Sequence, residues 1–98
     1  MSTNDSDPEQ MELDELRAEI EDIDREIVEL IARRTYVADT VAQVKSDQDL
    51  PTTDESQEER VMERAGENAR QFDVDANLVK AIFRLLIELN KVEQRQNR

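Results

Sequence analysis

Arg34 interrupts a row of residues that is otherwise apolar. Leu13, Leu16, Ile20, Ile23, Ile27, Leu30, Arg34, Val37, Val41 and Val44 follow one another by steps of three and four, the spacing of a helix face that packs against a partner helix. A guanidinium on such a face must be paired, hydrated in a cavity, or opposite an anion. It fits a register device or the partner of a buried carboxylate as well. Lys45 lies eleven residues further on, nearly on the same side of the helix and about 16 Å along its axis. Two long cations at that separation can lean onto one small dianion. Arg17 precedes Arg34 by seventeen residues, which places it roughly 25 Å away and about 100° around the helix. It cannot reach the same small ligand within one chain, but in an antiparallel dimer the partner subunit's Arg17 would arrive beside Arg34. Asp14 and Glu21 flank Arg17 at helical spacing, so for that residue taken alone an ordinary surface ion pair is the plainer reading.

A second apolar stripe, Val79, Phe83 and Ile87, continues by three and then four residues onto Asn90 and Gln94. Amides on such a stripe must be hydrogen-bonded if buried, and they could donate to an ether or carboxylate oxygen. For Gln94, a stripe fraying into solvent near the C-terminus is the plainer reading. Asp54 and Glu58 are one helical turn apart and share a face. Either could accept a proton from a substrate hydroxyl, or both could merely complement a helix dipole. The set is two or three cations, two amides and one or two carboxylates. It contains no nucleophile and implies no metal or cofactor, which suits a small dianion rearranging within itself under restraint and electrostatic stabilisation.

Composition narrows the chemistry further. The chain has no cysteine and no histidine, which excludes disulfides, thiolate nucleophiles, imidazole bases and His/Cys metal sites. With 25 acidic residues against 13 basic ones the net charge is −12, which argues against nucleic acid and anionic membranes as partners. Only three of the cations are lysine. An acidic, lysine-poor surface suggests adaptation to a high-salt cytoplasm, where ions screen self-repulsion to within roughly 3 Å. The same charge repels a dianion, so the cations must form a local positive pocket inside a negative shell.

The elements that position these residues follow from caps and breakers. A chain of 98 residues allows one domain, and aromatics at 3% leave a small core of Ile, Leu and Val. Residues 1–7 read as a disordered acidic leader, and residues 8–98 as the helical domain. Asp7-Pro8-Glu9-Gln10 reads as a helix start, and no Gly or Pro follows until Pro51, so the first helix is predicted to run to about Ser46. Asp47 to Pro51 is a linker. Thr52-Thr53-Asp54-Glu55 reads as a capping box opening a helix to about Arg70, with Gly66 as a weak point and a candidate earlier end. Asp73-Val74-Asp75 supplies caps for a third helix through Val92. Nothing reads as a strand, and no apolar run approaches the ~20 residues of a membrane span, so a cytoplasmic all-α protein with one very long helix is predicted. About forty helical residues span roughly 60 Å, against a radius of gyration near 13 Å for a compact domain of this size. The shorter helices cannot cover such a seam, so an intertwined homodimeric bundle is predicted, with folding coupled to dimerisation.

Leu16-Arg17-x-x-Ile20-x-x-Ile23-Asp24-x-x-Ile27-x-x-Leu30-Ile31-x-Arg33-Arg34, followed by Lys45, Asp54, Glu58, Asn90 and Gln94, resembles the all-helical chorismate mutases. The resemblance covers residues 13 to 96 without an insertion. It implies an intertwined dimer with two equivalent sites and a pericyclic conversion of chorismate to prephenate, on the route to phenylalanine and tyrosine. It further implies that Arg34 and the partner subunit's Arg17 bind substrate carboxylates, and that Lys45 contacts a carboxylate and the ether oxygen. Gln94 would donate to that ether oxygen from the other side. Asp54 and Glu58 would approach the ring hydroxyl, and Asn90 the ring carboxylate.

Two positions depart from the family pattern. Gln57 lies where some relatives carry a further arginine, and Asn90 replaces the usual small hydroxyl residue. Many relatives are fused to a dehydratase, a dehydrogenase or a regulatory domain, and 98 residues leave no room for one. An isochorismate pyruvate-lyase of the same fold would use a similar cation set, although the Asp54 and Glu58 pair favours the mutase. A non-catalytic helical dimerisation module would leave the spacing of Arg17, Arg34, Lys45, Asn90 and Gln94 as coincidence.

Overall fold

The computed structural model describes residue 9, residues 11–51 and residues 55–96, with side chains to residue 92. Three helices follow in order: α1 (Leu13–Asp47), α2 (Glu55–Gln71) and α3 (Ala76–Gln96). No strand occurs among the described residues, so the fold is all-α. No helix among them is long and apolar enough to cross a membrane.

Helix α1 starts five residues after the predicted proline. The Glu12 carbonyl accepts the first helical bond, from Leu16 N–H at 2.9 Å, and Glu15 Oε1 reaches back to accept from Glu12 N–H at 2.9 Å. This is the return half of a capping box, and with Asp14 and Glu15 in the first turn it favours Glu12 as the cap over the Asp7-Pro8 signal. Asp7, Pro8 and the acidic leader lie outside the described residues. The helix ends at Asp47, one residue past the predicted limit. There Leu50 N–H donates to the Lys45 carbonyl at 2.7 Å and Asp49 N–H to that of Ser46 at 3.1 Å, a Schellman closure with Asp49 left-handed at φ 59°.

Helix α2 closes in the same way. Val74 N–H donates to the Ala69 carbonyl at 2.8 Å, Asp73 N–H to that of Arg70 at 3.3 Å, and Asp73 takes φ 61°. Two residues later Asp75 caps α3, its Oδ1 accepting from Leu78 N–H at 2.9 Å. The predicted Asp73-Val74-Asp75 segment therefore ends one helix and begins the next. The predicted capping box at Thr52 to Asp54 lies outside the described residues; α2 begins at Glu55.

Gly66 does not end α2, which continues to Gln71. Ala65, Gly66 and Ala69 are its buried residues, a small-residue face against which α3 packs closely. A Cβ at position 66 would stand 2.6 Å from Lys80 Cε, so the lysine stem lies directly over the glycine. Contacts of Gly66 with Lys80 and of Glu58 with Lys91 pair late α2 with early α3 and early α2 with late α3. The two helices are antiparallel, as their four-residue connection, residues 72–75, requires.

The chain divides into two units, Met1–Arg33 and Arg34–Arg98. In the first, α1 carries no buried residue; Ile20, Ile23, Ile27 and Leu30 are 57%, 45%, 49% and 56% exposed. In the second, residues 34–47 of α1 join α2 and α3. There Ala65 and Ala69 are 2% and 4% exposed and Asn90 is 7% exposed.

Candidate functional site

The buried amide of Asn90 organises the second unit. Its Oδ1 accepts from Arg34 Nη1 at 2.8 Å, and its Nδ2 donates to Thr35 Oγ1 at 3.1 Å. The amide is thereby satisfied on both sides, as a buried amide must be, and the guanidinium is aimed. Arg34 also lies over the Phe83 ring, 5.6 Å from its centroid, within cation–π range. Among the described residues no carboxylate pairs with Arg34. Burial first, and then the charge of Arg64, lower its pKa from the usual arginine value. It remains a cation at any ordinary pH, oriented by neutral groups and repelled by a neighbour of its own sign. Such a cation is stabilised by an incoming anion.

The space in front of it is a cleft of about 330 Å³ between residues 34–42 of α1, the first half of α2 and the end of α3. Val37, Val41, Val61 and Ile87 give it an apolar floor. Its polar lining is Arg34 from α1, Arg64 from α2 and Lys91 from α3, with a single carboxylate, Glu58, and with Gln57 and Asn90. In a chain of net charge −12 the cleft is locally rich in cations, although of the cations expected there only Arg34 lines it. A neighbouring depression of about 370 Å³ has the opposite character, with Glu55, Glu58, Glu59 and Glu88 around Arg84. Its charge repels anions.

The sequence-predicted residues fall into three groups. Arg34, Glu58 and Asn90 come together in the cleft, although their sequence positions span three helices. Lys45 is half-buried one turn beyond Val41 and Ala42 and is not among the residues that line the cleft. Arg17 is exposed and makes no ion pair with Asp14 or Glu21; on that stretch, among the described residues, the intrahelical pair is Arg25 with Asp22 at 3.2 Å. Asp54 and the Gln94 side chain lie outside the described residues.

Two cations of the cleft, Arg64 and Lys91, were not singled out by sequence reasoning. Arg64 shares a face of α2 with Gln57 and Val61 by steps of four and three, a signal masked by the many charges of that helix. Lys91 adjoins Asn90, and its Nζ pairs with Glu58 Oε2 at 3.2 Å.

Residues 16–95 match the family model described as Chorismate mutase type II. The chain is 37% identical over 84 residues to a chorismate mutase of Methanocaldococcus jannaschii, covering 86% of this chain and 85% of that protein. It is 27% identical over 89 residues to a bifunctional chorismate mutase/prephenate dehydratase of Buchnera aphidicola subsp. Schizaphis graminum, covering 91% of this chain and 23% of that protein. No solved structure gives a significant match. The matched range spans residues of all three helices, so the chain belongs to the chorismate mutase type II family.

Proposed function

We infer that this protein is a chorismate mutase, an isomerase that converts chorismate to prephenate for phenylalanine and tyrosine synthesis. The reaction breaks one carbon–oxygen bond and makes one carbon–carbon bond within the same molecule, so no group is transferred and no nucleophile is needed. The observation that carries the reading is Arg34, buried in part, aimed through Asn90 and unpaired with any described carboxylate in a cleft richer in cations than in carboxylates. Arg34 takes one substrate carboxylate. Lys45 from the end of α1 and Gln94 from the end of α3 donate to the ether oxygen, where negative charge grows as its bond to carbon breaks. Asp54 and Glu58 receive the ring hydroxyl, and Asn90 holds Arg34 toward the ring carboxylate.

The site is completed by a second copy of the chain. The exposed Ile20, Ile23, Ile27 and Leu30 pack against a partner protomer as a homodimer, and the partner subunit's Arg17 binds the other carboxylate. We place the enzyme in the cytoplasm of a cell with high internal salt, where long-range repulsion between a protein of charge −12 and a dianion is screened while contacts inside the cleft survive. The test is loss of chorismate absorbance in molar salt, with prephenate identified as product, for the wild type and Arg34→Ala. Turnover that disappears in the variant supports the reading. A folded wild type that leaves chorismate unchanged contradicts it.

A further inference from the structure

We propose that Lys91 is a substrate-binding cation, held by Glu58 in the empty cleft and handed to a carboxylate of the dianion when it binds. The proposal rests on the substrate reading above and adds to it a cation of α3 that lines the same cleft and lies against α2.

Asn90 and Lys91 are consecutive on α3, so their side chains diverge by about 100° around the helix. Asn90 turns to α1, where it holds Arg34 and Thr35. Lys91 turns to α2, where its Nζ lies 3.2 Å from Glu58 Oε2, with a longer contact of 3.8 Å to Glu88 Oε2. Both Lys91 and Glu58 line the cleft. One short stretch of α3 thus serves both neighbouring helices, through an amide on Arg34 and an ammonium on Glu58. A ligand with two carboxylates and one hydroxyl meets a cation from α1 and another from α3.

The Glu58–Lys91 pair is suited to exchange. Its side chains are 31% and 32% exposed, so solvent weakens the attraction, and a pair of this kind is worth little to the fold. A substrate carboxylate entering drier space competes for the ammonium on favourable terms. The exchange also frees the Glu58 carboxylate to accept the substrate hydroxyl. Glu88, 60% exposed, offers Lys91 a weaker alternative and does not hold it back. Arg64 also lines the cleft, but it is exposed and among the described residues it is Lys91 that pairs with Glu58.

The experiment is steady-state kinetics on the wild type, Lys91→Met, Lys91→Arg, Glu58→Gln and the Glu58→Gln/Lys91→Met double variant. Methionine keeps the length and apolar stem of lysine and removes the charge. For Lys91→Met the expected result is a KM raised about tenfold or more with kcat changed by less than about threefold, the signature of lost ground-state binding. Lys91→Arg should recover most of the loss. The double variant should keep a KM raised to the same extent relative to Glu58→Gln. An unchanged KM in Lys91→Met overturns the proposal. So does a double variant whose KM returns to that of Glu58→Gln, because Lys91 then serves only to neutralise Glu58. A wild type without turnover overturns the substrate reading and this proposal with it, whereas turnover that Lys91→Met leaves intact overturns this proposal alone.

Discussion

The two units share one apolar register along α1, and Val37, Val41 and Val44 stay about as exposed as the isoleucines before them; the units differ in what surrounds that register. In residues 13–33, Ile20, Ile23, Ile27 and Leu30 lie about half exposed or more, and no residue of the helix is buried. In residues 34–92, the corresponding seam runs into Arg34, and a small-residue face on α2, the stripe of α3 and one buried amide enclose a cleft around it. The first stretch has the sequence of a buried helix and the exposure of a solvated one. The second has most of a binding site. A helix with this pattern gains its stability from packing rather than propensity, which supports the proposal that the first stretch packs against a second copy of the chain.

The largest expected effect comes from breaking the first stretch. Ile27→Asp sets a carboxylate on the seam of both protomers and removes apolar burial worth roughly 1.5 to 3 kcal/mol at each. Association should weaken by several kcal/mol, and sedimentation should show monomer at concentrations where the wild type is dimeric. A dimer of unchanged affinity would show that the seam is not the interface. Next come Lys45→Ala and Gln94→Ala, each of which removes one of the donors proposed for the ether oxygen, worth about 3 to 4 kcal/mol of barrier. Turnover should fall at least a hundredfold while the dimer persists, and near-normal rates would remove these residues from the assigned roles. The smallest effect sharpens the second stretch. Gly66→Ala crowds the far end of the Lys80 side chain, which can swing aside, and meets Arg70 Nη1 at an ordinary 3.7 Å, and the helix gains up to about 1 kcal/mol from replacing glycine. Thermal unfolding should move up slightly. A clear fall in melting temperature would mean that the Lys80 stem is fixed where it lies.

Much of this was legible in the sequence because helical periodicity and caps are local. Asp75 before an apolar run, and Arg34 and Asn90 as the polar members of two apolar stripes, could be read without coordinates, and the stripes place those two side chains face to face. Other features depend on how helices rotate about each other. Which charges of α2 and α3 enter the cleft is set by the close approach at Ala65, Gly66 and Ala69, where the sequence shows only small residues. Arg64 and Lys91 were therefore hidden among 39% charged residues. The start of α1 was misplaced for a different reason. Asp7-Pro8 and Glu12 with Glu15 are both valid start signals, and only the geometry of the Glu15 carboxylate on Glu12 N–H shows the second in use. Gly66 read as a helix end because glycine costs a helix about 1 kcal/mol, yet α2 runs on through it to Gln71, carried by its buried face against α3.

The central claim, a site shared between two protomers, is tested most directly by mixing two inactive variants. Arg17→Ala and Arg34→Ala are each purified, combined, unfolded and refolded together, and assayed for chorismate turnover. If the partner's Arg17 completes each cleft, a mixed dimer carries one doubly damaged site and one intact site, and activity should recover to about a quarter of the wild-type value for random pairing of protomers. A mixture no more active than its separate components, with mixed dimers shown to be present, would contradict the shared site.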